Sequence, residues 1–249
     1  MIRLMALVVR RSWAVVLAIV VWEAVVRIGD YNVVVMPGPG DVGRTLLTDT
    51  GRFLNDTGTT FAVTLMGLTV GTVVGVVLAI AVRFSPLIGG LVTPTAILIR
   101  TIPIVVFIPI LARVFGYQNS SVVMITVLIV VFPAFAWTLS GLQATSASIG
   151  DIFTVYGASR WRRVLLLELP SAAPNILMSA RVSGPAAVTG TILGEFLVGD
   201  RGLGHLFVES MNFGKPIIAW SGAAIATIFC VLLYTLTNTV ERVGRRRLT

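Results

Sequence analysis

Long apolar runs recur along the chain and constrain its fold more than any other feature. Residues 59–82, for example, contain no charged side chain. A bilayer core about 30 Å thick needs about 20 apolar residues per helix, and within hydrocarbon a helix satisfies its own backbone hydrogen bonds. The runs therefore predict membrane-spanning helices.

The chain holds enough apolar sequence for about six spans. Only 12% of its 249 residues are charged, against roughly 25% in soluble domains. We expect an all-α membrane protein in which residues 1–249 form a single transmembrane domain, with no room for a soluble catalytic domain. We place the spans at residues 12–28, 59–82, 88–115, 120–142, 176–198 and 217–240.

The third predicted span is the least regular of the six. It contains Pro94, Pro103 and Pro109, together with Arg100 and Arg113. Proline removes a backbone donor, and a span tolerates it where neighbouring helices or a water-lined cavity satisfy the freed carbonyl groups. We therefore expect this span to be broken or tilted.

The distribution of arginine predicts the orientation. Basic residues concentrate at both chain ends and in residues 143–175, while the remaining connections carry few of them, diluted by acidic residues. Cytoplasmic segments carry the excess of Lys and Arg, so both termini and residues 143–175 are expected in the cytoplasm, which requires an even number of spans. The net charge of +8 is thus a topology signal, and we expect no nucleic-acid partner.

The sequence argues against an enzyme or a metal protein. His205, which we expect in an outer loop, is the only histidine, which makes metal sites and histidine-based triads hard to assemble. No GxxxxGK[ST] motif occurs, so we expect no nucleotide triphosphate to be cradled by this chain. Any energy from ATP would come from a partner.

A basic, glycine-broken segment, DIFTVYGASRWRRVLLLELP, interrupts the apolar sequence at residues 151–170. Gly157 enters the left-handed region at low cost and is expected to end a first short helix. Ser159 can cap a second helix, and Pro170 is expected to stop it. The pattern predicts two short helices hinged at Gly157.

The two short helices present a mixed surface. Ile152, Phe153 and Tyr156 recur at helical spacing on the first, and Trp161 stands among arginines on the second. Such a hairpin suits a groove on a partner protein, and it equally suits the surface of anionic lipid. These properties alone leave both alternatives open.

The spacing of the same segment resembles the cytoplasmic signature of permease subunits in bacterial binding-protein-dependent ABC importers. That signature reads EAA, three residues, Gly, nine residues, then Ile-x-Leu-Pro. Here Asp151 stands at the Glu position, Gly157 at the Gly position and Leu167 at the Ile position, and Leu-Pro follows at 169–170. The departures are Asp for Glu, and Ile-Phe for the two alanines at 152–153.

Further stretches are similar to permeases of the nitrate, sulfonate and taurine group. They are MPGPGDVGRTLL at 36–47, RTIPIVVFIPILARVFG at 100–116 and GEFLVGDRGLGHLF at 194–207. The resemblance implies a type I ABC importer permease fold in the bacterial inner membrane, with a cytoplasmic coupling helix within about residues 143–175. It also implies two ATPase subunits that use ATP and Mg, a second permease copy or a paralogue, an extracytoplasmic substrate-binding protein, and surrounding membrane lipid.

The alternative to an importer permease is a stand-alone secondary carrier or channel, which has no reason to keep the 151–170 register. In importers of this kind, selection of the solute rests largely on the separate binding protein.

The resemblance selects the residues expected to contact the ATPase. The coupling candidates are Asp151, Tyr156, Gly157, Ala158, Ser159, Arg160 and Trp161.

The candidates for the translocation pathway are Arg100, Pro103 and Glu195. An arginine near the centre of a span costs about 2.5–3.5 kcal/mol on insertion scales, so its presence calls for a reason. Arg100 either faces the pathway and favours an anion, as the sulfonate and nitrate resemblance suggests, or pairs with Glu195, or snorkels to an interface. Glu195 either caps or gates the outer end of the pathway or lies among headgroups.

Overall fold

The computed structural model describes the backbone of residues 2–145 and 147–248. The side chains of residues 1–12, 14, 146–148, 151, 154 and 247–249 lie outside the described part. The described chain is almost entirely helical and contains no strand. Its helices are α1 (Ile2–Ile28), α2 (Pro39–Thr48), α3 (Thr50–Phe84), α4 (Pro86–Thr101), α5 (Ile104–Phe115), α6 (Asn119–Gln143), α7 (Ala147–Val155), α8 (Arg160–Arg163), α9 (Leu169–Val198), α10 (Leu203–Asn212) and α11 (Pro216–Leu248).

Five of the six predicted spans correspond to apolar helices of the described chain. Four helical stretches are long and apolar enough to cross a membrane: α3, α6, the stretch Arg160–Val198 and the stretch Pro216–Arg246. A fifth is the bent pair of α4 and α5. The span at 12–28 falls within α1, part of whose side chains lie outside the described residues, so the sixth span stays a prediction.

The third span is broken, as its prolines predicted. The axes of α4 and α5 meet at 104°. Pro103 begins α5 as its N-cap, and Ile102 before it is extended, with φ −78° and ψ 126°. A proline disfavours the helical conformation of the residue that precedes it, so Pro103 accounts for the break at this point.

Two expectations for the connecting segments were wrong. Pro170 does not stop a helix, because a π-helical turn at Val164–Glu168 leads directly into α9. The amide of Leu169 bonds to the Val164 carbonyl in this wider turn, and Pro170 follows in the first turn of α9, where its missing N–H costs least. Residues around His205, expected as a loop, form α10.

The centre of the bundle is α6, with α3 and α9 packed on it. Gly67, Gly71 and Gly75 of α3 face α6 of the same chain, where they meet Thr126, Val130 and Ala134 respectively. A Cβ atom added at Gly75 would lie 2.6 Å from the Ala134 Cβ and 2.7 Å from the Val131 carbonyl oxygen. The glycine stripe is therefore a packing face within the chain, which lets the two backbones approach closely.

The helices around α6 define two ends of the bundle. The proximal end of the bundle contains the C-terminal ends of α3 and α6, together with α7 and α8. The distal end contains α10 and the start of α11. On α9, which runs antiparallel to α6, Gly190 faces Ile129 and Gly194 faces Val122. Near the end of α11, Gly244 packs on Leu177 of α9, so α11 returns to the proximal end.

Replacing Gly75 with alanine should destabilise the bundle. The new methyl group would meet backbone atoms of α6 that cannot rotate away, and overpacking of this kind costs about 1–3 kcal/mol. Gly58→Ala on the same helix is the control, because nothing lies within 4 Å of its added Cβ and alanine favours a helix by up to about 1 kcal/mol over glycine. Thermal unfolding in detergent should show a lower midpoint for Gly75→Ala alone; equal midpoints for the two variants would contradict the packing.

Candidate functional site

A glycine-hinged pair of short helices at the proximal end forms the candidate coupling segment, residues 147–163. Gly157 has a φ of +68°, and the amide of Ala158 donates to the Phe153 carbonyl at 2.9 Å, which closes α7 in the manner of a Schellman motif. Ser159 then caps α8, with its Oγ accepting from the Arg162 amide at 3.4 Å. The predicted hinge and cap are both confirmed.

The surface of this segment is apolar and aromatic. The exposed fractions of Val155 and Tyr156 are 84% and 85%, and Ile152 is half exposed. The indole of Trp161 instead stacks on Phe84 at the end of α3, with ring centroids 4.8 Å apart. One aromatic residue thus anchors the segment to the bundle, while Tyr156 and its neighbours are left for a partner.

Most of the predicted coupling residues are exposed in the described structure. Gly157, Ser159 and Arg160 are exposed, and Ala158 is partly exposed. The side chain of Asp151, within α7, lies outside the described residues. The coupling role of all of these residues stays a prediction.

A buried ion cluster, which the sequence reasoning missed, joins this segment to α3. The Glu168 carboxylate is 1% exposed. Its Oε1 accepts from Nη2 of Arg83 at 2.7 Å and from Nε of Arg163 at 3.1 Å. Separating a buried carboxylate from its cation costs about 3–5 kcal/mol, so these three groups hold together.

One signal in the sequence pointed to this cluster. Glu168 is the only charged residue between Val164 and Pro170, and an isolated acid in an apolar stretch requires a partner. It occupies the variable position of the Ile-x-Leu-Pro signature. Arg83, however, lies 85 residues away in sequence, and no local pattern relates the two.

The break between α4 and α5 opens a cleft of about 520 Å³ against α6. Arg100, Thr101 and Pro103 line it from the broken span, and Phe132 and Trp137 line it from α6. The Arg100 guanidinium lies over the Phe132 ring, 4.8 Å from its centroid. Arg100 and Pro103 therefore meet in one cavity.

The surroundings of Arg100 explain how a cation can be placed there. It lies in the last turn of α4, where the helix dipole favours a positive charge, and the aromatic face beneath it adds a cation–π contact. It is exposed to the cleft. Arg100 thus rests on an aromatic ring and remains exposed in the cleft.

Glu195 lies elsewhere, buried at the distal end. Its Oε2 accepts from the Thr60 hydroxyl at 2.9 Å and from the Gly204 amide at 3.0 Å. Thr60 accepts in turn from the Leu203 amide, so Glu195 and Thr60 together cap the start of α10. Glu195 is neither paired with Arg100 nor placed among headgroups, since its exposed fraction is 0%. A gating role for it stays a prediction.

Within the described residues, no three His, Cys, Asp or Glu side chains cluster as a metal site would require. The described site consists of an exposed pair of short helices and of a cleft lined by the Arg100 side chain. The expectation that this chain holds no metal or nucleotide stays a prediction.

Comparison with known proteins agrees with this arrangement. Residues 71–249 match the family described as the inner membrane component of binding-protein-dependent transport systems. The chain belongs to this family. It is an ABC importer permease, a transport subunit rather than an enzyme, and its helices are those of an inner membrane component.

Relatives of this permease have been named in several bacteria. A probable ABC transporter permease protein of Haemophilus influenzae is 28% identical over 87% of this chain and 88% of its own. The formylaminopyrimidine transport permease protein ThiX of Halalkalibacterium halodurans is 31% identical over 78% and 77%. The taurine transport system permease protein TauC of Escherichia coli is 24% identical over 89% and 83%.

A solved structure shares the fold of the permease. An inward-facing structure of the MetNI methionine ABC transporter matches with a TM-score of 0.58, covering 75% of this chain and 91% of that chain at 16% identity. Membership of the family favours the importer permease over the stand-alone carrier or channel. Importers of this family depend on a binding protein and on ATP. Membership of the family therefore implies a binding protein and an ATPase as partners of the permease.

Proposed function

We propose that this permease forms the translocation pathway for a small anionic solute, that a substrate-binding protein delivers the solute, and that a separate ATPase drives transport. The observation that carries the proposal is the exposed hairpin at the proximal end. It keeps the register of the coupling signature, and Val155 and Tyr156 on it are almost fully exposed.

The hairpin is the docking site for the ATPase in this proposal. Gly157 allows the sharp turn between α7 and α8, and Tyr156 is the aromatic group that enters the partner's groove. Ala158, Ser159, Arg160 and the backbone around Asp151 form the rest of the contact, while Trp161 fixes the segment on Phe84. ATP and Mg bind in the ATPase.

The anionic character of the solute rests on Arg100. The named relatives of the permease are assigned to different compounds, taurine and formylaminopyrimidine among them. Sequence similarity therefore does not identify the substrate. A fixed guanidinium exposed in a cleft between helices favours a sulfonate-like or nitrate-like anion, because its donors match the oxygens of such groups. Pro103 makes this cleft by breaking the span, and Glu195 caps the distal helix beyond it.

The assembly we propose is the importer of the bacterial inner membrane. Residues 1–249 act as one permease domain of six spans, paired with a second copy or a paralogue and served by two ATPase subunits. The proximal end, with both termini, faces the cytoplasm, and the binding protein docks on the distal end. The arginine distribution and the return of α11 to the proximal end support this orientation.

Gly157→Asp should abolish ATPase docking, and with it uptake, while the permease still inserts in the membrane. The substitution strains the hinge and adds a charge at the proposed interface. Gly214→Asp is a matched control, because Gly214 has nearly the same φ, +67° against +68°, and equally open surroundings, but lies at the distal end. Copurification from membranes and ATPase activity are the measurements.

We expect the ATPase to copurify with the wild-type permease and with Gly214→Asp, and to be lost from Gly157→Asp. Recovery of wild-type permease alone, without ATPase activity, would refute the proposal. Equal recovery with both variants would refute the assignment of the hairpin.

Arg100→Gln should lower uptake of an anionic solute several-fold without lowering the amount of permease in the membrane. Arg113→Gln, on the other half of the broken span and outside the lining of the cleft, is the control. Uptake of labelled ethanesulfonate and of labelled nitrate would be measured in cells that carry the whole importer and lack other uptake of sulfonates and nitrate. Equal uptake by Arg100→Gln and wild type would remove the anion role, and no uptake of either probe by wild type would contradict the solute class.

A further inference from the structure

The buried ion cluster at the proximal end links the coupling segment and the start of α9, which are neighbours in sequence, to the end of α3, which is 85 residues away from Glu168. Glu168 ends the π-helical turn that leads into α9, Arg163 ends α8 of the coupling segment, and Arg83 lies in the last turn of α3. Both guanidinium groups contact the same carboxylate oxygen, Oε1 of Glu168. Nη2 of Arg83 lies 2.7 Å from it and Nε of Arg163 lies 3.1 Å from it. The other oxygen of Glu168 is buried without a hydrogen-bond partner.

Two further contacts reinforce the same junction. Trp161 stacks on Phe84, the residue next to Arg83. On the opposite side, the Arg163 guanidinium lies against Gly150 of α7, where an added Cβ would come within 2.5 Å of its Nη2. The helix α8 thus contacts the end of α3 through Trp161, and α7 lies against the Arg163 side chain of α8 at Gly150.

The end of α3 leads directly to the cleft. Only Ser85 separates α3 from α4, and its hydroxyl caps α4 by accepting from the Ile88 amide. The far end of α4 carries Arg100 and Thr101 into the cleft. A displacement of Arg83 would therefore reach the lining of the cleft through one turn and one helix.

We propose that Arg83 and Glu168 are positioning residues that carry movement of the coupling segment into the broken span. The inference rests on the proposed function, since it takes the hairpin as the ATPase contact. Because a buried carboxylate loses much on separation from its cations, the end of α3 follows Arg163 when the ATPase moves the segment. An apolar contact would slide more easily, since it has no preferred direction.

The test compares two substitutions on one helix. Arg83→Gln removes the ionic link to α3 and leaves in place the pair of Glu168 with Arg163 and the stack of Trp161 on Phe84, so the coupling segment itself stays intact. Arg52→Gln makes the same change at the exposed distal end of α3. Both are made in a chain carrying Cys230→Ser, which removes the only native cysteine, and Thr101→Cys, which places a reporter thiol in the cleft.

The readout is the rate at which a charged maleimide labels Thr101→Cys in the purified complex of permease and ATPase. It is measured without nucleotide and after trapping with ATP, Mg and vanadate, and needs no knowledge of the solute. In the parent and in Arg52→Gln we expect trapping to change the rate by about fivefold or more, the lower range of ordinary coupling between sites. In Arg83→Gln the rate should be the same in both states, although the ATPase still copurifies and hydrolyses ATP.

The outcomes separate this inference from the proposed function. A parent chain that binds no ATPase refutes the proposed function. If trapping changes the labelling rate equally in the parent and in Arg83→Gln, the inference alone is overturned. It is also overturned if the Arg83→Gln permease no longer copurifies with the ATPase, because Arg83 would then contribute to docking. A parent complex whose label does not respond also overturns it, because no movement reaches the cleft. Glu168→Gln, which keeps the side-chain shape, provides a second variant and should give the same loss of response.

Discussion

Close approach of backbones around α6 is the constraint on which the rest of this permease depends. In hydrocarbon there is little hydrophobic gain from bringing helices together, so association relies on packing and on small residues that permit it. Glycines of α3 meet one side of α6, and Gly190 and Gly194 of α9 meet another. This three-helix core leaves the broken span at its edge and fixes the proximal ends of α3 and α9 beside each other, where the coupling segment attaches.

The functional parts are the places where this regular packing is interrupted. Pro103 breaks a span and makes the cleft, Gly157 breaks a helix and makes the hairpin, and the π-helical turn before Pro170 lets α9 continue without a gap. Each interruption has a local cause in the sequence. Two charged groups lie at these interruptions: Arg100 lines the cleft and contacts the Phe132 ring, and Glu168 ends the π-helical turn and pairs with two arginines.

Much of the fold could be predicted because spans and turns are local properties. The apolar runs predicted the five helical spans now described, the prolines predicted that the third span is broken or tilted, and turn chemistry predicted the hinge at Gly157 and the cap at Ser159. The contacts of charged residues could not be predicted in the same way. Glu168 meets Arg83 and Glu195 meets Thr60 across 85 and 135 residues, and only the packed bundle brings them together. The prediction that Pro170 stops a helix was wrong because the wider π-helical turn before it continues into α9.

The central claim is that the hairpin at 147–163 is the surface through which ATP hydrolysis reaches the membrane helices. The most direct measurement replaces Tyr156 with a photo-crosslinking benzoylphenylalanine in the permease expressed with its partners, and compares it with the same replacement at Phe213, which is also largely exposed but lies at the distal end. The account predicts that illumination crosslinks position 156, and not position 213, to the ATPase subunit. A crosslink from 156 to lipid alone, or equal crosslinking of the ATPase from both positions, would contradict it.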